Sequence, residues 1–307
     1  MKKDELLDIV TNVETKKPSR QLDFLTGYSG EKLLNLLRRA TSLCEPDEIY
    51  CEIGVFQGLS LISVAAENPE ISCVGVDNFA FFDADGKNKK TVLERAKRAD
   101  TKNVDLIDLD YEDALEKMGE YLQGRKIGVF FVDGPHDYRS QLMCLLLAKP
   151  HLSDDAIIII DDSNYNHVRQ ANRDFIATHP EFRLIFEKYT YKHPNNMSSS
   201  ERAEAEAGWW NGVNVLVKDR SEKIPYVEPP TVRDRTIFEN EHLVHPMRYS
   251  DAVIESLLFA NSLQPLNVRV AWKRFKKLRS KLKSLNREAQ PYEDGNMIGF
   301  DNKTSEK

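Results

Sequence analysis

Residues 127–162 read IGVFFVDGPHDYRSQLMCLLLAKPHLSDDAIIIIDD, and their hydrophobic pattern decides the fold. Two apolar runs without alternation, Ile127–Val132 and Ala156–Ile160, enclose a segment with helical spacing. Such runs are typical of central parallel strands that helices cover on both faces. The stretch therefore predicts a strand, a crossover helix at Tyr138–Ala148 and a second, parallel strand.

The same alternation of strand-length and helical segments extends from residue 48 to residue 220. It predicts an α/β domain with a Rossmann-like, seven-stranded, mostly parallel sheet and helices on both faces. The other predicted strands are Ile49–Ile53, Cys73–Asp77, Val104–Leu109, Phe182–Tyr189 and Val213–Val217, and the other helices are Leu59–Glu67, Lys89–Asp100, Tyr111–Leu122 and Asn166–Thr178.

The segments around this domain predict helical additions. Residues 1–44 form an N-terminal helical flank, in which Ser29 is expected to cap a helix from Glu31 to Arg39. Residues 221–287 form a C-terminal helical extension, with helices near residues 250–262 and 268–285, and residues 288–307 are expected to be disordered. Within the domain, the polar stretch 192–212 predicts an inserted loop with a short helix that covers a substrate.

Composition places the chain among ordinary globular proteins. Of its 307 residues 30% are charged and 41% are hydrophobic, and no apolar run reaches the length of a membrane span. The stretch Met1–Arg20 has no apolar region like that of a secretory signal, so a cytoplasmic location is expected. The four cysteines lack CxxC spacing, which favours reduced core residues over a zinc site.

Charge is distributed unevenly along the chain. Residues 266–287 carry nine Lys or Arg and no acid, which leaves 34 basic and 49 acidic residues elsewhere. An acidic body is not expected to bind nucleic acid. The basic segment has an apolar stripe at helical spacing, which suits either packing on the acidic body or contact with an anionic membrane surface; the first is the preferred interpretation. The oligomeric state stays open, and a homo-oligomer is compatible with the sequence.

The turn EIGVFQGLS at residues 52–60 lies between a predicted strand and a predicted helix. Gly54 and Gly58 let the backbone approach a ligand, and a helix N-terminus offers N–H groups to a carboxylate. The Gly-x-x-x-Gly spacing differs from the dinucleotide fingerprint G-x-G-x-x-G, which disfavours a nicotinamide enzyme. Asp77 and Asp110 follow the next two strands, where an acid can accept hydrogen bonds from ribose hydroxyls; for Asp110 a solvated acid is an equal alternative.

Three more carboxylates follow the two strands that decide the fold. Asp133 comes after the first, and Asp161 and Asp162 come after the second. The carboxyl ends of neighbouring strands line one crevice, so these oxygens can converge on Mg²⁺ or a similar hard cation. The alternative for each acid singly is a helix cap. His136 lies three residues beyond Asp133 and is the candidate general base, against the alternative of a structural histidine.

With these motifs, residues 45–220 resemble the class I S-adenosylmethionine-dependent methyltransferases, and within them the small-molecule O-methyltransferases of the macrocin and catechol types. The resemblance rests on EIGVFQGLS, on Asp77, on DGPHDY at residues 133–138 and on IIIIDD at residues 157–162. It implies a domain that binds S-adenosylmethionine. The cofactor residues that it implies are Glu52, Gly54, Gly58, Ser60, Asp77 and Asp110.

The resemblance also assigns roles at the second motif. In sugar-modifying relatives, an Asp, a His three residues later and an acidic pair after the next strand hold Mg²⁺ and supply the base. That pattern falls on Asp133, His136, Asp161 and Asp162. The catechol type has lysine at the base position, so this chain is nearer the sugar-modifying type. One departure is Phe56, where many class I enzymes have a third glycine.

The expected reaction is methyl transfer from S-adenosylmethionine to a hydroxyl of a small molecule such as a sugar or vicinal diol. Asp133, Asp161 and Asp162 are expected to hold the cation while His136 takes the proton. Alternatives are a metal-independent methyltransferase, a catalytically idle methyltransferase fold that serves as a binding protein, and a nucleotide-binding oxidoreductase.

Overall fold

The computed structural model of the chain describes residues 2–13, 22–80, 82–83, 85–190, 193–219, 223–233, 250–263 and 268–288. These residues fall into two compact units, Met1–Phe238 and Glu239–Lys307. The predicted sheet lies entirely in the first unit.

The first unit is built on a seven-stranded sheet with the order β3-β2-β1-β4-β5-β7-β6. The first five strands pair in parallel, and β7 runs antiparallel between β5 and β6. The predicted Rossmann-like, mostly parallel fold is therefore confirmed. The strands are β1 Glu48–Ile53, β2 Cys73–Val76, β3 Val104–Ile107, β4 Lys126–Val132, β5 Leu152–Ile160, β6 Phe182–Lys188 and β7 Val213–Lys218.

Helices lie on both faces of this sheet. Each face carries its own hydrophobic cluster, one around Phe130 and Ile158 and the other around Phe131 and Ile159. Adjacent residues of one strand contribute to opposite clusters because successive side chains point to opposite faces. The helices of the first unit are α1 Lys2–Thr11, α2 Glu31–Thr41, α3 Leu59–Glu67, α4 Asn88–Arg98, α5 Tyr111–Glu116, α6 Met118–Leu122, α7 Tyr138–Ala148, α8 Asn166–Thr178 and α9 Ser199–Ala207.

The register of the central strands positions the candidate site. Ile53 of β1 pairs with Val132 of β4, and Val132 pairs with Ile160 of β5. The three strands thus end at the same level of the sheet. The residues that follow them, Gly54, Asp133 and Asp161, come next to one another at its carboxyl edge.

Two local predictions were wrong. Ser29 does not cap α2: the N-cap is Gly30, and the Ser29 hydroxyl is buried without a hydrogen-bond partner among the described residues. The N–H group of Lys32 instead donates to the carbonyl of Gly208 at 3.0 Å, so a distant loop satisfies the start of the helix. The predicted helix Tyr111–Leu122 is two helices that meet at Lys117.

Helix α1 was not singled out from the sequence. Its Leu6, Ile9 and Val10 are buried in the same cluster as Leu36 and Leu37 of α2. The predicted N-terminal flank is therefore two helices that bury one common apolar surface.

The insertion before β7 contains the predicted short helix, α9. Ser198 and Glu201 form a capping box at its start. Beyond α9, Trp210 is 6% exposed, in agreement with a role in anchoring the loop.

The second unit contains α10, Ser250–Leu263, and α11, Val268–Glu288, close to the two helices that the sequence predicts. The Glu255 carboxylate of α10 pairs with Lys277 and Arg274 of α11. Trp272 of the basic helix is 58% exposed. No helix among the described residues is long and apolar enough to cross a membrane. The predicted disordered tail lies, from residue 289 onward, outside the described residues.

Candidate functional site

The turn after β1 lies against the end of β4. Gly54 has φ +89°, and a Cβ atom placed on it would lie 1.9 Å from the backbone oxygen of Asp133. No side chain fits at that distance, so glycine is required both for the conformation and for the close approach. Gly58, at φ +81°, caps the N-terminus of α3.

Asp77, at the end of β2, holds this turn. Its Oδ2 accepts the N–H groups of Val55 at 2.9 Å and of Phe56 at 2.8 Å, and its Oδ1 accepts that of Phe79 at 2.7 Å. A carboxylate offers about four lone-pair positions, so the half-buried Asp77 keeps acceptor capacity for further donors. The structure thus brings Asp77 together with the Gly54–Gly58 turn.

Phe56 has the left-handed backbone conformation of this turn although it carries a large side chain. Its φ is +50°, in the left-handed region that favours glycine. Its ring lies 5.8 Å from that of Tyr28, which in turn lies 6.1 Å from the ring of Trp210. The absent third glycine therefore leaves the shape of the turn intact.

Glu52 and Ser60 lie in the interior beneath the turn. The Glu52 carboxyl is fully buried and accepts hydrogen bonds from Tyr50 Oη at 2.6 Å and Ser60 Oγ at 2.9 Å. Burial raises the pKa of Glu52 to about 8, although both hydrogen bonds act in the opposite direction. These side chains join the end of β1 to the start of α3 and so fix the turn that they flank.

The raised pKa of Glu52 predicts a pH-dependent effect of Glu52→Gln. Between the ordinary pKa of a glutamate and about pH 8, folded Glu52 keeps a proton that the unfolded chain releases, so Glu52 lowers stability as pH rises. The variant has no such proton. Its free energy of unfolding should therefore improve relative to the unaltered protein from pH 5 to pH 8, as measured by urea denaturation. A constant difference across this range would refute the raised pKa, and Glu70→Gln on the surface serves as control.

Asp110 takes the role of a helix cap. Its side chain accepts the N–H group of Glu112 at 2.9 Å at the start of α5. It also lies 3.4 Å from Asn78 Nδ2, next to Asp77. The sequence did not predict this capping role, and a contact of Asp110 with cofactor stays a prediction.

Asp133, His136 and Asp162 converge at the carboxyl edge of β4 and β5. One potential ligand atom from each lies within 4.8 Å of those of the other two. His136 Nε2 lies 2.7 Å from Asp162 Oδ2, and the His136 side chain is 38% exposed. The sequence-predicted base and two of the three predicted metal ligands are thus together in space.

The side chain of Asp161, the third predicted ligand, does not join Asp133, His136 and Asp162. Its Oδ1 accepts the N–H group of Asp162 at 2.8 Å, and it is not part of the three-residue cluster. Burial raises the pKa of Asp133 well above its usual range, and the charges of Asp161 and Asp162 add to this effect. Burial and the neighbouring Asp162 do the same to the pKa of Asp161. The carboxyl edge of β4 and β5 therefore holds three carboxyl groups close together and largely away from water.

Asp162 is the carboxylate that the site keeps ionised. Burial alone would raise its pKa, yet hydrogen bonds from His136 and Asn211 hold it below the usual value. Its backbone has φ +53°, an uncommon conformation for a residue other than glycine. Asn211 was not predicted, and the Asn-Gly pair before β7, a turn signal, is the one feature that could have pointed to it.

Aromatic rings lie beside His136 of this cluster. The Tyr165 ring lies 5.8 Å from that of His136, 5.3 Å from His167 and 6.1 Å from His193. Arg169 is structural, because its guanidinium donates to the backbone oxygen of Ser163 at 2.6 Å.

Residues 51–163, from β1 to the turn after β5, match the model of a family described as a methyltransferase domain. No curated protein matches the chain.

Several solved structures are similar to part of this chain. An O-methyltransferase from Bacillus cereus in complex with SAH has 15% identity, covers 70% of this chain and 90% of its own, and gives a TM-score of 0.47. TomG from Streptomyces achromogenes, an O-methyltransferase involved in tomaymycin synthesis, has 14% identity, covers 70% and 90%, and gives 0.47. CalS11, a TDP-rhamnose 3'-O-methyltransferase of calicheamicin biosynthesis, has 17% identity, covers 60% and 88%, and gives 0.43.

Proposed function

We propose, from the premise that residues 51–163 form a methyltransferase domain, that this protein transfers a methyl group from S-adenosylmethionine to a hydroxyl oxygen of a small molecule. A sugar or another vicinal diol is the proposed acceptor. The observation that carries the proposal is the meeting of the Gly54 turn with the cluster of Asp133, His136 and Asp162 at one edge of the sheet. The proposed cofactor turn and the proposed proton acceptor are thus adjacent.

The cofactor would lie at the turn after β1. The N-terminus of α3 suits the carboxylate of the amino acid part, and the remaining acceptor capacity of Asp77 suits the ribose hydroxyls. S-adenosylmethionine supplies an already electrophilic methyl group, so the protein must chiefly align the acceptor oxygen and remove its proton.

His136 would take the proton of the acceptor hydroxyl. Its Nε2 is bonded to Asp162, which leaves Nδ1 on a partly exposed ring as the candidate proton acceptor. A carboxylate bonded to one imidazole nitrogen orients the ring and stabilises the imidazolium that forms. Asp162 would therefore have two roles, because it would orient His136 as well as bind a cation.

The residues present fit a divalent cation. Asp133 and Asp162 offer hard oxygen ligands, and the raised pKa of Asp133 and Asp161 reflects anionic groups held together away from water. Asp133 and Asp162 would hold the ion, with Asp161 beside them. When bound, such a cation lowers the pKa of a hydroxyl and orients two neighbouring oxygens.

The first test is calorimetric titration of the chelator-stripped protein with S-adenosylhomocysteine, repeated with Mg²⁺. The protein should bind it, and Asp77→Ala should weaken binding by tenfold or more, because the variant loses both the ribose acceptor and the bonds that hold the turn. Screening of hydroxylated acceptors would follow. Absence of binding with and without Mg²⁺ would refute the methyltransferase activity.

A second prediction concerns the cation. An ion that binds only the folded protein stabilises it by about 2.7 kcal/mol at one hundred times its dissociation constant, so Mg²⁺ or Mn²⁺ should raise the melting temperature. In Asp162→Asn this increase should largely disappear, because the ionised ligand is lost. Differential scanning fluorimetry measures it, with exposed Asp105→Asn as control. An equal increase in Asp162→Asn would favour the metal-independent alternative, as would activity that survives chelation.

A further inference from the structure

The segment that precedes β7 reaches into the carboxylate cluster through Asn211. The Asn211 side chain is 1% exposed, and its Nδ2 donates to Oδ1 of Asp162. The other oxygen of Asp162, Oδ2, faces His136. Each oxygen of this carboxylate thus has its own partner, Asn211 for Oδ1 and His136 for Oδ2.

The backbone strengthens the same connection. The N–H group of Asn164 donates to the carbonyl of Asn211 at 3.0 Å, and that of Ser163 donates to the carbonyl of Gly212 at 3.3 Å. A Cβ atom on Gly212 would lie 2.7 Å from Asn164 Oδ1, so the two turns are in direct contact. Residues 162–164 and 211–212 therefore form one joint.

The backbone within the joint, and at the residue directly before its second segment, has conformations that are costly by themselves. Asp162 has φ +53° and Trp210 has φ +54°, and such residues persist only where their surroundings hold them. In addition, Oδ1 of Asn211 is buried and has no hydrogen-bond partner among the described residues. A buried polar atom of this kind is typical of a site that accepts a donor from a ligand or a water molecule.

We infer that Asn211 is a positioning residue for the cation site: it orients Asp162 toward the ion, and its free oxygen accepts a hydrogen bond from a ligand of that ion, such as water. The inference rests on the proposed function. Hydrogen-bond partners of metal-binding side chains orient them, and their loss typically lowers metal affinity 10- to 100-fold. The insertion 193–212 is then part of the site itself and more than a cover for the substrate.

The test is Mn²⁺ binding to the chelator-stripped full-length protein, measured by electron paramagnetic resonance of the free ion. Asn211→Ala should weaken Mn²⁺ binding about 10- to 100-fold and leave S-adenosylhomocysteine affinity within about twofold. The matched control is Asn214→Ala, an equally buried asparagine that bonds Tyr189 and Asn172 instead of the cluster. It should keep the Mn²⁺ affinity of the unaltered protein.

Asn211→Leu, which has nearly the same shape and no polar atom, repeats the measurement if the alanine variant does not fold. Equal Mn²⁺ affinity in the unaltered protein and in a folded Asn211 variant would overturn the inference, as would an equal loss in Asn214→Ala. Binding of S-adenosylhomocysteine without any Mn²⁺ binding in the unaltered protein would overturn the cation site together with the inference. Absence of S-adenosylhomocysteine binding would instead refute the proposed transferase.

Discussion

Replacing His136 with alanine should lower the turnover number of methyl transfer by about 10²- to 10⁴-fold, the usual contribution of a positioned general base. His136 is the imidazole of the carboxylate cluster, and Asp162 fixes its ring through a 2.7 Å contact. The variant keeps Asp77 and the turn after β1. Its affinity for S-adenosylhomocysteine should therefore stay nearly unchanged, which calorimetry and single-turnover kinetics can check together.

The same variant separates two roles of His136. If its imidazole only takes the proton, Mn²⁺ affinity in His136→Ala should stay close to that of the unaltered protein. If Mn²⁺ affinity falls in parallel with turnover, His136 is a ligand of the ion. Unchanged turnover would remove it from the mechanism. His151→Ala serves as control, since His151 lies near Leu115, bonded to its backbone oxygen, away from the cluster.

Gly54→Ala should be the most damaging single change in the turn after β1. The added Cβ would lie 1.9 Å from the Asp133 oxygen, and the backbone has φ +89°. Left-handed strain costs about 1–2 kcal/mol and forced overpacking about 1–3 kcal/mol, so the variant should lose about 2–5 kcal/mol of folding free energy. Relief of the clash must separate the turn from β4, so binding of S-adenosylhomocysteine should also be lost.

Gly124→Ala is the matched control for this prediction. Gly124 has the same φ, +89°, but a Cβ placed on it meets no atom within 4 Å. It should therefore show only the strain of about 1–2 kcal/mol and normal cofactor binding. Urea denaturation measures the stability of the two variants, and calorimetry measures their S-adenosylhomocysteine binding. The difference between Gly54→Ala and Gly124→Ala is the effect of the steric clash without that of the backbone strain. Equal effects would mean that the contact between the β1 turn and Asp133 is unimportant.

Most of the sheet could be predicted because each central strand is a short apolar run that ends in a glycine or an acid. Ile127–Val132 and Ala156–Ile160 were placed almost to the residue at their carboxyl ends, which is where the site lies. Helix α1 has Leu6, Ile9 and Val10 at helical spacing, so its signal was present in the sequence. The charged residues between these positions make the apolar pattern of α1 difficult to recognise.

The contacts within the site could not be predicted in the same way. Which carboxylate meets His136 depends on the left-handed backbone of Asp162, and no local pattern specifies that conformation. Asn211 lies in the turn that precedes the antiparallel strand β7, 49 residues beyond Asp162 in the chain. Ser29 was expected to cap α2 because capping rules are local, whereas the carbonyl that meets the helix belongs to Gly208. The partner of His136, the partner of Asp162 and the acceptor at the start of α2 all depend on residues far away in the sequence.

The contact between Lys32 and Gly208 also affects the order in which the domain can fold during synthesis. Synthesis proceeds from the N-terminus, so α2 leaves the ribosome long before the loop that completes its first turn. Contacts between segments far apart in sequence form slowly, because a long loop must close first. We therefore expect nascent chains and fragments that stop before β7 to lack both a finished α2 and the support of Asp162 by Asn211. The edge of the sheet that carries the candidate site is therefore expected to be completed last.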